Sequence, residues 1–261
     1  MASSTRGALF RWLLVLLIAA GAFFGLALFL APALFASLTG FSGTDTFMYR
    51  LAGAATFSYA AGLAVGYRRS WDELRIPIAS AAVFNAASIG ACLTAILAGD
   101  AQPVVYVILY ASIVFTAATT TFVVRPPEPA ADDEPAPDLA TWIVVLFAIG
   151  TVAAAFFGLV PINLGGAFGQ LFGYSGADDF VYRQGGAATL GAAVGGWLVL
   201  RSRRWSAAWI PAVMALTFNG LSVIAALLEL LAGGRPVALL ILDAAGVVTI
   251  GMAAALLREG R

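Results

Sequence analysis

"DTFMYRLAGAAT", residues 45–56, and "DDFVYRQGGAAT", residues 178–189, are nearly the same dozen residues written twice in one chain. Widened to residues 40–56 and 173–189, the match covers 11 of 17 positions: Gly40, Ser42, Gly43, Asp45, Phe47, Tyr49, Arg50, Gly53, Ala54, Ala55 and Thr56 with their partners. After a one-residue shift, Trp71, Ile76, Pro77, Phe84, Asn85 and Ser88 meet Trp205, Ile210, Pro211, Phe218, Asn219 and Ser222. Further on, Pro103, Val104, Ile108 and Leu109 meet Pro236, Val237, Ile241 and Leu242. The chain reads as a tandem duplication, with residues 1–124 and 139–261 as the two copies.

Composition says what each copy is made of. The 261 residues are 61% hydrophobic and 11% charged, with mean hydropathy +0.94, where soluble domains carry roughly a quarter charged residues. That is the composition of an all-α integral membrane protein. A bilayer core asks for about 20 mostly apolar residues per helix. Eight runs meet that need, at 9–30, 47–67, 76–98, 103–124, 140–160, 181–200, 208–231 and 236–257. Eight spans make two parallel four-helix repeats, which enter the membrane from the same side and are related by an axis along its normal.

Orientation follows from arginine, because cytoplasmic loops retain positive charge. Arg6, Arg11, Arg68, Arg69, Arg75, Arg125, Arg201, Arg203, Arg204, Arg258 and Arg261 fall on one side, and only Arg50, Arg183 and Arg235 on the other. Both termini are therefore expected in the cytoplasm. Abundant Arg and Ala with no Lys suggest a bacterium with a GC-rich genome, hence its cytoplasmic (inner) membrane. Arg6, Arg11 and the following apolar run with "APALFA" also fit a cleaved signal peptide. The run is long for that role, and Trp142 to Pro161 reads as a repeat of Trp12 to Pro32, so the first run is taken as a retained helix. The joint "RPPEPAADDEPAPD", residues 125–138, holds five prolines and five acids. Such a segment is expected to stay extended as a solvated cytoplasmic linker.

The 14 basic and 14 acidic residues cancel, which gives no sign of nucleic acid as a partner. His is absent and Cys92 is the lone cysteine, so metal, haem and iron–sulfur centres built on His or paired Cys are excluded and no cofactor is expected. No phosphate-cradling loop or nucleophile–base pair is present, and no catalytic residue is assigned. The expected partners are the lipid bilayer and either another membrane protein or a second copy of the chain.

Three groups of residues are candidates for function. Asp45, Tyr49, Arg50, Asp178, Tyr182 and Arg183 form an external rim where the loops enter their helices. There the carboxylates would cap helix N-termini, the tyrosines join the interfacial aromatic belt and the arginines snorkel. The alternative is an anion- or partner-binding rim. Below it, Ala54, Ser58, Gly62 and Gly66, matched by Ala187, Gly191 and Gly195, provide small residues for close helix packing, the two stripes facing each other. Asn85 and Asn219 lie about ten residues into their helices, near the membrane midplane. They serve either as hydrogen-bonding glue to a neighbouring helix or as the lining of a path at the repeat interface. Asp243, matched by Tyr110, completes that possible polar path and would stay neutral or find Arg50 or Arg183. Glu229 is expected to pair with Arg235.

The apolar first helix, its Pro-containing exit, the short external loop and the "YR-x-x-G-A" entry to the second helix make each half resemble the small four-helix membrane proteins of the DoxX-like group. That resemblance implies an accessory role in a membrane complex. The residues alone leave open a small transporter or channel, an accessory or structural subunit, and an intramembrane enzyme.

Overall fold

The structure, a computed structural model, describes residues 2–127 and 138–259; linker positions 128–137 lie outside the described residues. The described chain is helical: α1 (Ala2–Leu30), α2 (Pro32–Thr39), α3 (Thr46–Gly66), α4 (Trp71–Ala98), α5 (Pro103–Val124), α6 (Thr141–Leu164), α7 (Gly166–Gln170), α8 (Asp179–Ser202), α9 (Trp205–Leu231) and α10 (Val237–Glu259). Prolines start α2 and α5, where a missing N–H costs nothing. Gly40 and Gly99 end α2 and α4 in the left-handed conformation.

Six helices, α1, α4, α5, α6, α9 and α10, are long and apolar enough to cross a membrane, as a multi-pass membrane protein requires. The sequence reading counted eight. The two outside the six are α3 and α8, and their surroundings explain why. Of the 21 residues of α3, 13 are buried, whereas only four of the 22 in α5 are. A helix wrapped by protein needs small side chains for close approach rather than an apolar coat, and α3 and α8 are rich in Gly, Ala and Thr.

Glycine pairs set that approach. An added methyl at Gly25 of α1 would fall 2.6 Å from the amide nitrogen of Phe57, and one at Gly53 of α3 would fall 2.7 Å from the carbonyl oxygen of Gly25. In the second half, a methyl at Gly158 would lie 2.8 Å from the backbone of Leu190, and one at Gly186 2.8 Å from the carbonyl oxygen of Gly158. So α1 seats on α3 and α6 on α8 with backbones nearly touching. The glycines also mark a register between the two similar stretches of sequence. "AFFGL" at 22–26 recurs at 155–159 with the same offset as the opening motif, so Gly25 matches Gly158 and the Trp12–Trp142 alignment is displaced.

The small-residue stripes do not face each other. Gly62 and Gly66 of α3 meet Met214 and Ile210 of α9, while Gly191 and Gly195 of α8 meet Ser80 of α4. Each central helix thus packs on the third long helix of the opposite half, and α3 and α8 touch where Gly185 lies against Ala52. At the other end of the bundle the Trp209 indole donates to Glu73 Oε1 at 2.8 Å, a second tie between halves.

Gly25→Ala and Gly158→Ala should each lower stability by about 1–3 kcal/mol, because the added carbon meets backbone that has nowhere to move. Gly90→Ala, with nothing within 4 Å of the new carbon, should be neutral or stabilising by up to about 1 kcal/mol. Thermal unfolding in detergent distinguishes them, and equal effects at the three positions would refute the close-contact account.

Candidate functional site

The duplicated motif builds one structure from both of its copies. Asp45 accepts four hydrogen bonds from the second copy: Ser175 N–H at 2.9 Å, Ser175 Oγ at 2.9 Å, Gly176 N–H at 2.8 Å and the Tyr182 hydroxyl at 2.7 Å. Asp178 accepts the same four from the first: Ser42 N–H at 2.8 Å, Ser42 Oγ at 2.7 Å, Gly43 N–H at 2.9 Å and the Tyr49 hydroxyl at 2.8 Å. Gly43 and Gly176 share φ +68°, a left-handed conformation that turns their N–H groups onto the opposing carboxylate. Thr44 Oγ1 and Ser175 Oγ join the two loops directly at 2.8 Å.

This clasp replaces three expectations. Asp45 and Asp178 do stand at the N-cap positions of α3 and α8, but neither side chain caps its own helix. Tyr49 and Tyr182 are buried rather than in an interfacial belt. Four of the six rim residues are therefore consumed inside the molecule. Burial pushes the Asp45 carboxyl up, and the hydrogen bonds from Tyr182, Ser175 and Gly176 more than offset it, leaving the group below its ordinary 3.8.

The two rim arginines differ. Arg183 pairs with Asp179, Nε to Oδ2 at 2.5 Å, and donates to the carbonyls of Ile162 and Asn163 at the end of α6. The position matching Asp179 is Thr46, so Arg50 lacks that carboxylate. Glu229 accepts from the Tyr174 hydroxyl at 3.1 Å and from the backbone N–H of Arg235 at 3.3 Å, in place of the expected ion pair.

Beneath the clasp lie two cavities. One of about 90 Å³ is lined mainly from α1, α3, α4 and α5, with Phe180, Val181 and Gln184 added from α8, and also holds Asn85, Thr56 and Ser112. The other, of about 440 Å³, is lined mainly from α6, α8, α9 and α10 and holds Asn219. Most residues of the small cavity have counterparts in the wall of the large one, and four of these pairs differ in bulk: Leu17, Tyr59, Leu63 and Phe115 around the small cavity stand where Gly150, Ala192, Gly196 and Val248 surround the large one. Gln184 is fixed by its amide donating to Ser88 Oγ at 2.9 Å.

No family model matches the chain, and neither a curated protein nor a solved structure matches it.

The three residues of the expected polar path are not brought together. Asn85 and Asn219 each donate to their own helix, to Ala81 O and Ala215 O at 2.8 Å, and line separate cavities. Neither bonds a neighbouring helix as glue. Asp243 is exposed on α10 and lines neither cavity, although Ala244 and Ala245 beside it line the larger. Sequence reasoning missed Ser42, Gly43, Ser175 and Gly176 as the donors of the clasp, and Gly150, Ala192 and Gly196 as the residues that open the large cavity. The signal for the first group was their retention in both copies; for the second it was the loss of bulk in one copy only.

Asp45→Ala leaves four donors without an acceptor and should cost about 3 kcal/mol or more, with Tyr182→Phe costing about 1.5–3 kcal/mol. Because the folded carboxyl sits below its unfolded value, its contribution is complete above the unfolded pKa and drains away as pH falls through the lower folded one. The pH–stability curve should thus fall at and below about pH 4 in the native protein and less steeply in Asp45→Asn; parallel curves through that range would refute the assignment.

Proposed function

We propose that this chain is an eight-span membrane protein of two tandem four-helix units that binds and carries a small apolar molecule in its larger cavity. Its α3 and α8, 21 and 24 residues long, have the length of about 20 residues that a bilayer core asks for. Their modest apolarity reflects protein neighbours rather than a position outside the membrane. The arginine distribution supports a cytoplasmic position for both termini. Labelling of Leu38→Cys and Arg69→Cys in a Cys92→Ser background should then occur from opposite sides of the membrane; labelling from one side would exclude a spanning α3.

The observation that carries the function is the cavity itself. Its volume of about 440 Å³ falls in the range of about 300–1,000 Å³ typical of ligand pockets. No charged side chain lines it, and most of its wall is aliphatic, aromatic or glycine. An ion or strongly polar solute needs a lining that replaces its hydration, which this wall does not offer. The seam between α3 and α8 is closed by Gly185 against Ala52 and by the Tyr59 hydroxyl donating to Ala188 O at 2.8 Å. The chamber is walled mainly by the second half, with Met48, Leu51, Ala52 and Ser58 of α3 and Ser80 of α4 added from the first, and a chamber is favoured over a channel along the seam.

A second reading, a subunit of a membrane complex, is favoured by Asp243. An ionisable group on the exposed face of an apolar helix is costly against lipid, and a partner helix with a hydrogen-bond donor would satisfy it. Purification into nanodiscs followed by mass spectrometry separates the two. A carrier should hold a small apolar molecule that Gly196→Leu and Ala192→Phe expel by filling the chamber. A stoichiometric protein partner that dissociates on Asp243→Leu, with no bound small molecule sensitive to the chamber variants, would overturn the carrier in favour of the subunit.

A further inference from the structure

We infer that the large cavity opens sideways into the bilayer between α6 and α10, and that its ligand is the hydrocarbon chain of a membrane lipid; this rests on the cavity being a binding site.

The cavity wall reaches the outer surface of the bundle along one edge. Ile149 and Ala153 on α6 and Ala244 and Val247 on α10 line the cavity and are also exposed on the outside of the molecule. Ile149 keeps 60% of its surface accessible and Val247 66%. The first half supplies the comparison. The matching residues there, Leu16 and Val114, are almost as exposed, at 53% and 62%, yet neither lines the small cavity. The next residue on each helix shuts that side, since Leu17 and Phe115 are both packed into the core. In the second half the same two positions are Gly150 and Val248, and a carbon added at Gly150 meets nothing within 4 Å.

The opening has a definite edge and a uniform chemistry. About one turn along α6 from Gly150 the two helices close on each other, where a carbon added at Gly251 of α10 would fall 2.5 Å from Leu146. Asp243 stands beside the edge without lining the cavity, so the side chains along the opening are aliphatic.

Depth selects the ligand. Gly150 lies nine residues into α6 and Val247 ten into α10. At about 1.5 Å per residue each is about 14–15 Å along its helix, close to the middle of a hydrocarbon core about 30 Å thick. Lipid chains fill the bilayer at that depth, and a polar headgroup drawn down to it would lose its hydration without compensation. An empty apolar chamber leaves the atoms of its wall without dispersion partners. A chain entering from the side restores those contacts and needs no charged residue to receive it, and none lines the chamber.

The test uses the full-length protein in nanodiscs and three photoreactive probes: a phosphatidylcholine with a diazirine near the end of one chain, the same lipid with the diazirine on its headgroup, and a small free apolar diazirine. The chain-end lipid should label Ala192 on α8 and Ala215 and Phe218 on α9, which line the chamber, and the headgroup lipid should not. Joining Ala153→Cys to Val247→Cys with a cleavable cross-linker, in a Cys92→Ser background and before the lipid is supplied, should abolish that labelling. Cleavage should restore it, and labelling on the outer face of α5 should stay constant throughout. Wall labelling that survives the cross-link, equal labelling from the headgroup lipid, or labelling by the free diazirine alone would overturn the side opening for lipid chains and leave the cavity reading in place. If none of the three probes labels the wall, both readings fall.

Discussion

The structure depends on a constraint at one end of the bundle: a carboxylate can be buried there only if enough donors surround it. Neither copy of the motif can supply both the acid and its donors to itself, because the acid stands at the start of one long helix and the donors that fit it lie on the loop and helix of the other copy. Asp45 is satisfied by Ser175, Gly176 and Tyr182, and Asp178 by Ser42, Gly43 and Tyr49. Each half is incomplete alone. Hydrogen bonds to an ionised acceptor are stronger than neutral ones, and eight of them fix the mutual position of α3 and α8.

With the starts of α3 and α8 fixed, the rest of the packing has little freedom. Gly25 against Phe57 and Gly158 against Leu190 let α1 and α6 lie directly on the central pair. The stripes of α3 and α8 then turn toward α9 and α4. This exchange explains why α3 and α8 carry so few large apolar residues. They are surrounded by other helices, and dispersion across close backbone contacts supplies attraction without large apolar side chains.

The sequence made much of this legible, and its failures are as physical as its successes. The helical class and most helix positions followed from apolar runs, which are local. The partner of Asp45 did not, since a helix cap and a bond to a residue 130 positions away look identical in one copy of the motif. What would have pointed to it is the retention of Ser, Gly and Tyr together with Asp in both copies. Asp243 misled because its depth along α10 was readable and its direction around the helix was not: Ala245, two positions on, is buried while Asp243 is exposed. Asn85 and Asn219 misled because equal depth in matched helices was taken as nearness, whereas the two side chains line different cavities.

The two similar halves of the sequence differ to different extents at different depths. At the clasp both keep the Asp, Ser, Gly and Tyr that bond across it, while Thr44 is matched by Ala177; removing any of the eight shared groups strands a partner in the other half. Below it they diverge, and the divergence is one-sided. Leu17, Tyr59, Leu63 and Phe115 fill the first chamber; Gly150, Ala192, Gly196 and Val248 empty the second. A larger cavity lowers stability, because the atoms of its wall have no neighbours to attract across the gap. A fold with no use for the space has reason to close it, as the first half does with the same backbone. The tight half and the open half meet at the clasp, whose eight hydrogen bonds are the same on both sides, so the difference in cavity volume comes from the walls below it and not from the way the halves are joined.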